Sequence, residues 1–314
     1  MKNNNPKGII LILIGMFIVS FMDATFKYIN TSVNLYEAYF VRTLVSFVVI
    51  ASYLKITNKP IIFTTHYPLL TSIRVILFFF GFSSFYISLT IMPLATATAL
   101  FFASPFLMTI FAIFFLKEEV GIRRWSAVII GFIGVYIILN PDFNDFDYLS
   151  LTPVLCAFCY ALSMIIIKKT SDKDDVYSQM FHFYIFAITI SLIIYFFIGD
   201  GQYNNFDYPA SQFILRKWFS NLEFSLPYMI FIGVIGATGF LCFFTAYRIA
   251  SPAVVSPFEY SILAWASLNG WIFFDEIPNQ RTIVGMILIV CGSIYIFIRE
   301  KAQDQSIAIE KPLR

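Results

Sequence analysis

The chain has 314 residues, of which 59% are hydrophobic and 13% charged, against about 25% charged in a soluble domain. That balance excludes a water-soluble globular protein and places nearly all the mass in a bilayer. A net charge of +2 offers no basic field for nucleic acid.

The first apolar run mimics a signal peptide, but it ends at Asp23 and not at a small-residue cleavage site, so it is read as a retained first helix. A bilayer core is crossed by about 20 apolar residues. Ten runs fit: 8–28, 34–54, 68–91, 94–116, 122–140, 149–168, 177–198, 226–248, 252–274 and 280–298. Most connections are short, which makes sequential helices antiparallel neighbours. The exception is 199–225. There Ile214, Trp218, Phe219 and Leu222 recur at helical spacing behind Ser211 as an N-cap, which predicts a short amphipathic helix on the membrane surface, with a disordered loop as the alternative.

Lys and Arg set the orientation. Fifteen of the 21 fall in the termini and in the loops on their side. Four lie opposite (Lys27, Arg216, Lys217 and Arg281), and Arg42 and Arg74 lie within spans. Both termini are therefore expected in the cytoplasm, and the loop with Asp142, Asp145 and Asp147 outside. Cys156 and Cys159 form a C-x-x-C with no second pair nearby, so they read as small buried hydrophobes. His66 and His182 supply no metal set, and no cofactor is expected.

A shift of 158 residues superposes the chain on itself. Gly81, Phe82 and Phe85 meet Gly239, Phe240 and Phe243; Glu118 and Arg123 meet Glu276 and Arg281; Gly134 meets Gly292. The first and sixth spans align at another offset, Phe17 with Phe158 and Lys27 with Lys168. The chain is thus expected to be all-α and integral to the membrane, with ten transmembrane helices in two inverted five-helix repeats. Their bounds are 1–140 and 149–299, with 300–314 a cytoplasmic tail. Inverted repeats are the mark of secondary transporters, with substrate held near the midplane between the halves.

The polar residues inside the spans are the site candidates. Glu259 lies seven residues past Pro252, about 10 Å into the apolar layer. It is costly there unless it faces a cavity or a partner. It is either a bundle contact or a substrate or proton site, and Pro257 loosens the backbone beside it. Asp23 and Lys27 share a helix face, and the next helix brings Glu37 and Arg42. The four read as a neutralising clamp between helices 1 and 2, or as an outer gate or a site for a zwitterion. Arg74 snorkels to the cytoplasmic surface or pairs locally. Glu118 and Glu276 are expected to cap or pair at the helix that follows each. Gly233, Gly236 and Gly239 imply close packing or a bend that exposes carbonyls. Tyr86, Phe102, Tyr160, Tyr247, Tyr260 and Trp265 are candidates for an aromatic wall that holds a cation or planar ring, against plain packing.

Several stretches together resemble the EamA-type carriers of the drug/metabolite transporter superfamily. They are Asp23-Ala-Thr-Phe-Lys27, Phe40-Val-Arg42, Arg74, Met92 to Leu100, Ser104-Pro105-Phe106, Leu116 to Gly121, Arg123-Arg124-Trp125, Pro257-Phe258-Glu259-Tyr260 and Phe274 to Pro278. The likeness covers nearly the whole chain. Lys117 and Asp275 stand where that family often has Gly, and the long 199–225 loop is unusual for it. The resemblance implies a central cavity lined mainly by helices 1, 3, 4, 6, 8 and 9. The expectation is a secondary carrier for a small organic metabolite (amino acid, amine, nucleoside-like or vitamin-like) in the cytoplasmic membrane, a monomer or homodimer, coupled to protons or another ion. Glu259 is its polar centre. A membrane-embedded enzyme and a passive channel are the rival classes.

Overall fold

A computed structural model describes residues 5–116, 122–139, 147–170, 173–249 and 256–291. Glu118, Asp142, Asp145, the start of the ninth expected span, the end of the tenth, the tail and the Tyr247 side chain lie outside the described residues. The structure is helical: α1 Asn5–Ile29, α2 Leu35–Ile56, α3 Pro68–Ser88, α4 Leu94–Phe101, α5 Ser104–Leu116, α6 Ile122–Leu139, α7 Thr152–Thr170, α8 Val176–Ile198, α9 Pro209–Leu215, α10 Leu222–Ile249, α11 Ser261–Phe274 and α12 Gln280–Cys291. Turns of 3-10 helix at Tyr148–Leu151 and Ser256–Tyr260 lead into α7 and α11. Six helices are long and apolar enough to cross a membrane among the described residues.

The run at 94–116, expected as one helix, is two. Pro105 has no N–H to return to Phe101, so α4 ends there. The chain tightens through Ala103 N–H to Leu100 O (3.1 Å) before α5 begins. The ninth run is also irregular, since Ser256–Tyr260 is 3-10 helix before α11. The break at Phe102 and the junction at Tyr260 are 158 residues apart, and the two rings touch, centroids 4.8 Å apart at 37°.

Close approach of small residues sets the helix pairs. α10 lies against α1 and α2. A Cβ on Gly239 would meet Ile18 Cγ2 at 3.1 Å, and one on Gly233 would meet Val45 Cβ at 2.6 Å and the Arg42 carbonyl at 2.9 Å. Ser46 Oγ donates to the Gly233 carbonyl at 2.8 Å. These glycines serve packing, and α10 runs on through them. α3 lies along α7, where Gly81 faces Cys159; Cys156 and Cys159 are buried free thiols.

The long loop departs from its expected form. Its helix is α9, Pro209–Leu215, with Pro in the first turn and no side-chain cap. Ser211 lies inside it, and Trp218, Phe219 and Leu222 lie past its end. Trp218 is buried, set against Phe40 and Tyr195. Polar bonds strap the loop onto the α1–α2 turn. Asn34 Nδ2 donates to the Ile214 and Arg216 carbonyls (2.5 and 2.8 Å). Arg216 Nη1 donates to the carbonyls of Asn30 and Val33, each at 3.2 Å. Bonded backbone beat amphipathic spacing.

At the opposite end, Asp174 gathers the α2–α3 loop. It accepts from Thr65 Oγ1 (2.5 Å), the His66 amide (2.9 Å) and His66 Nδ1 (3.2 Å). Burial pushes its carboxyl up, but these three bonds and the imidazole outweigh burial and hold it below its usual value. Arg74 does not snorkel: it is buried, and its Nη2 donates to the Gln179 carbonyl of α8 at 2.9 Å. His182 Nε2 lies 2.8 Å from the Phe63 carbonyl, a structural contact.

Candidate functional site

Between the helices lies a cavity of about 60 Å³. That seats a few waters and no metabolite, so it must widen to load one. Its wall is built from Met16, Val19 and Asp23 of α1; Phe78, Phe82 and Phe85 of α3; Thr98 and Phe101 of α4, and Phe102; Tyr160 of α7; Phe240 and Phe243 of α10; and Glu259 and Ile262 at the entry to α11. These elements correspond to runs 1, 3, 4, 6, 8 and 9. The lining follows the 158-residue shift: Phe82 with Phe240, Phe85 with Phe243, and Phe101 with Glu259. One half therefore carries an aromatic ring where the other carries a carboxylate.

Asp23, buried at 6% exposure, is held by Tyr86, whose hydroxyl donates to Oδ1 at 3.2 Å. The same hydroxyl accepts from Arg42 Nη1 at 3.2 Å. The guanidinium sits 4.8 Å from the Tyr39 ring centroid and 5.4 Å from that of Phe26, a cation–π setting. Tyr86 stacks on Phe26 at 3.9 Å. Arg42 is thus screened behind Tyr86 and absent from the described wall. Glu259 is buried and lies within electrostatic reach of Tyr160. Phe101 and Tyr160 meet at 5.1 Å.

The expected four-charge clamp does not form. Lys27 lies one turn beyond Asp23 and reaches away from it, to Glu276 Oε1 at 2.5 Å, while also donating to the Met92 carbonyl at 2.9 Å. Glu276 Oε2 accepts from Leu94 N–H at 3.1 Å. Glu276 therefore caps the first turn of α4, where a carboxylate is favoured, and not the helix that follows it. Asp275 turns the chain into this position with φ 54°, the left-handed region that favours Gly. Glu37 takes a third course, accepting from Phe219 N–H at 3.1 Å.

Of the sequence candidates, Asp23, Glu259, Phe102 and Tyr160 line the cavity. Tyr86 and Tyr260 stand behind Asp23 and Phe102. Trp265 packs elsewhere, edge-on to Phe17 at 4.9 Å. Thr98 and the phenylalanines of α3 and α10 were not singled out as wall residues. The shift that pairs Phe82 and Phe85 with Phe240 and Phe243 was the signal for them. Among the described residues no cluster of His, Cys, Asp and Glu fits a metal.

Fold and cavity together define a multi-pass helical membrane protein with a small interior cavity between its helices. The EamA-like transporter family model matches residues 6–140 and again 149–298, and the chain belongs to that family: it is a transporter of small organic molecules. It is 29% identical to the S-adenosylmethionine uptake transporter of Rickettsia prowazekii over 95% of both chains. It is 30% identical to the riboflavin transporter of Vibrio cholerae over 65% of this chain and 62% of that one. It is 23% identical to the pseudopaline exporter CntI of Pseudomonas aeruginosa over 91% of this chain and 94% of that one. A solved crystal structure superposes with a TM-score of 0.63 at 13% identity, over 93% of this chain and 98% of its own, and so shares the fold.

Proposed function

We propose that the protein is a secondary active carrier. It moves a small organic metabolite across the cytoplasmic membrane by alternating access around the cavity of Asp23 and Glu259. Ten spans form two inverted five-helix repeats, 1–140 and 149–299, with both termini and the 300–314 tail in the cytoplasm. The internal shift, the paired irregularities in runs 4 and 9 and the contact of Phe102 with its counterpart Tyr260 support the repeat. The charge asymmetry supports the orientation. The Lys27–Glu276 knot then lies at the outer end, one turn above Asp23. It ties α1, α4 and α11, all three of which contribute to the cavity wall, and closes the outer path. The relatives' names support a nucleoside-like or vitamin-like metabolite, S-adenosylmethionine before riboflavin on length of match.

The observation that carries the reading is that each half sends one carboxylate, Asp23 and Glu259, into one shared apolar cavity. Such groups exchange a proton for a substrate charge as the environment alternates, which makes a proton the coupling ion. Counterflow in proteoliposomes tests it. External labelled S-adenosylmethionine should accumulate transiently in vesicles preloaded with the unlabelled compound. Simple equilibration without overshoot would indicate a channel, and chemical conversion of the label an enzyme.

A further inference from the structure

A second cavity, of about 20 Å³, adjoins the first. Phe78 and Phe240 line both and form a partition between them. The second cavity holds a cation. Arg74 of α3 lines it and is buried, at 3% exposure. A guanidinium carries five N–H donors in a planar fork. Among the described residues its hydrogen bonding is confined to the bond from Nη2 to the Gln179 carbonyl, at 2.9 Å. Asp174 lies within electrostatic reach of it, but the oxygens of Asp174 accept from Thr65 and His66. Tyr184 lines the same cavity, and its buried hydroxyl has no hydrogen-bond partner among the described residues. Its neighbour Ser46 gives its own proton to the Gly233 carbonyl.

We infer that Arg74 is the anchor for a carboxylate of the transported metabolite, in a subsite that joins the cavity of Asp23 and Glu259 when Phe78 and Phe240 move apart. The inference rests on the carrier reading and deepens it. A guanidinium keeps its charge in an apolar interior, and a counter-charge beside it is favoured there. The free part of the fork can take both oxygens of a carboxylate at once, and the Tyr184 hydroxyl can donate to the same group. A carboxylate brings one negative charge to one guanidinium, whereas a phosphate dianion would leave a second charge unmet. The cavity has room for about one water, so it widens with the partition to admit the carboxylate head while the rest of the ligand stays on the far side of Phe78 and Phe240. Arg42 does not offer a second anchor in this arrangement, because it is bonded to Tyr86 and enclosed by the Phe26 and Tyr39 rings. Of the compounds named for the relatives, S-adenosylmethionine carries such a carboxylate and riboflavin does not.

The test compares two ligands that differ in the carboxylate alone. The purified full-length protein in detergent is titrated with S-adenosylmethionine and with decarboxylated S-adenosylmethionine. Affinity is read by equilibrium dialysis and by ligand-induced thermal shift. S-adenosylmethionine should bind at least about tenfold more tightly. Removing the carboxylate makes the ligand more cationic, so any general attraction of cations to Asp23 and Glu259 works in the opposite direction. Arg74→Gln should bring the two ligands to within about twofold of each other, and Arg74→Lys should keep part of the preference. Tyr184→Phe removes only the hydroxyl and should reduce the preference in a protein that retains Arg74. Equal or tighter binding of the decarboxylated ligand by the wild type, no binding of either ligand, or an undiminished preference in every variant that folds would each overturn the inference. A lower melting temperature of Arg74→Gln with the preference intact would leave Arg74 as a contact between α3 and α8. Carboxylate preference in binding without counterflow would sink the carrier reading and leave the Arg74 subsite. Counterflow of S-adenosylmethionine by a protein that does not prefer the carboxylate would do the reverse.

Discussion

Neutralising Glu276 should loosen the outer end of the transporter. Its carboxylate meets Lys27 at 2.5 Å and Leu94 N–H at 3.1 Å, and the two side chains are only 24% and 10% exposed. Unit charges 4 Å apart attract by about 4 kcal/mol at an effective dielectric of about 20. The partly wet surroundings and the resolvation of both groups when the knot opens offset most of that. After Glu276→Gln the side-chain carbonyl can still accept from Leu94 N–H, so the charge pairing alone is lost, a bias of about 1–3 kcal/mol. That corresponds to about a 5- to 150-fold shift towards the outward-open state. The assay places a cysteine at Thr98, on the cavity wall, with Cys156, Cys159, Cys242 and Cys291 replaced, and follows its modification by an impermeant thiol reagent added outside. Glu276→Gln should speed modification by a factor in that range. Lys27→Glu combined with Glu276→Lys should slow it again only in part, because a cation at the start of α4 is disfavoured. Unchanged labelling alongside a lower melting temperature would refute the gate and leave a structural pair.

Asp174, held below its usual value, contributes stability that is fully present above its unfolded value of 3.8 and lost as pH falls from there through its lower folded value. Asp174→Asn should lower the melting temperature at neutral pH and flatten its acid dependence; equal slopes in the two proteins would contradict this. Gly233→Ala forces a methyl onto Val45 and the Arg42 carbonyl and should cost about 1–3 kcal/mol, read as melting temperature and yield, and an unchanged protein would refute the close packing of α10 on α2. Cysteines at residues 145 and 172 should differ in intact cells, the first labelled by an impermeant reagent and the second not; the reverse pattern would overturn the orientation.

The bilayer made much of the fold legible. A run such as 177–198 has few alternatives to a spanning helix, and α8 occupies Val176–Ile198. Pro105 was visible too, but its consequence, the end of α4 at Phe101, depends on what fills the broken turn. Asp23 and Glu259 stood out because charge in an apolar run is rare. Their neighbours did not. Lys27 and Glu276 are 249 residues apart, and no periodicity joins them, so spacing on one helix suggested Asp23 as the partner instead. Trp218 read as the apolar face of a helix. Loop carbonyls met by Asn34, and α1–α2 turn carbonyls met by Arg216, decided otherwise.

The central claim is that the cavity works by exchanging charge at Glu259, and Glu259→Gln in proteoliposomes of matched protein content tests it most directly. Gln keeps the shape and the hydrogen bonding, so the variant should fold and insert. It should retain substrate-for-substrate exchange and lose uptake driven by a pH gradient. Wild-type rates in both modes, with and without the gradient, would contradict the account and leave Glu259 as a contact between helices.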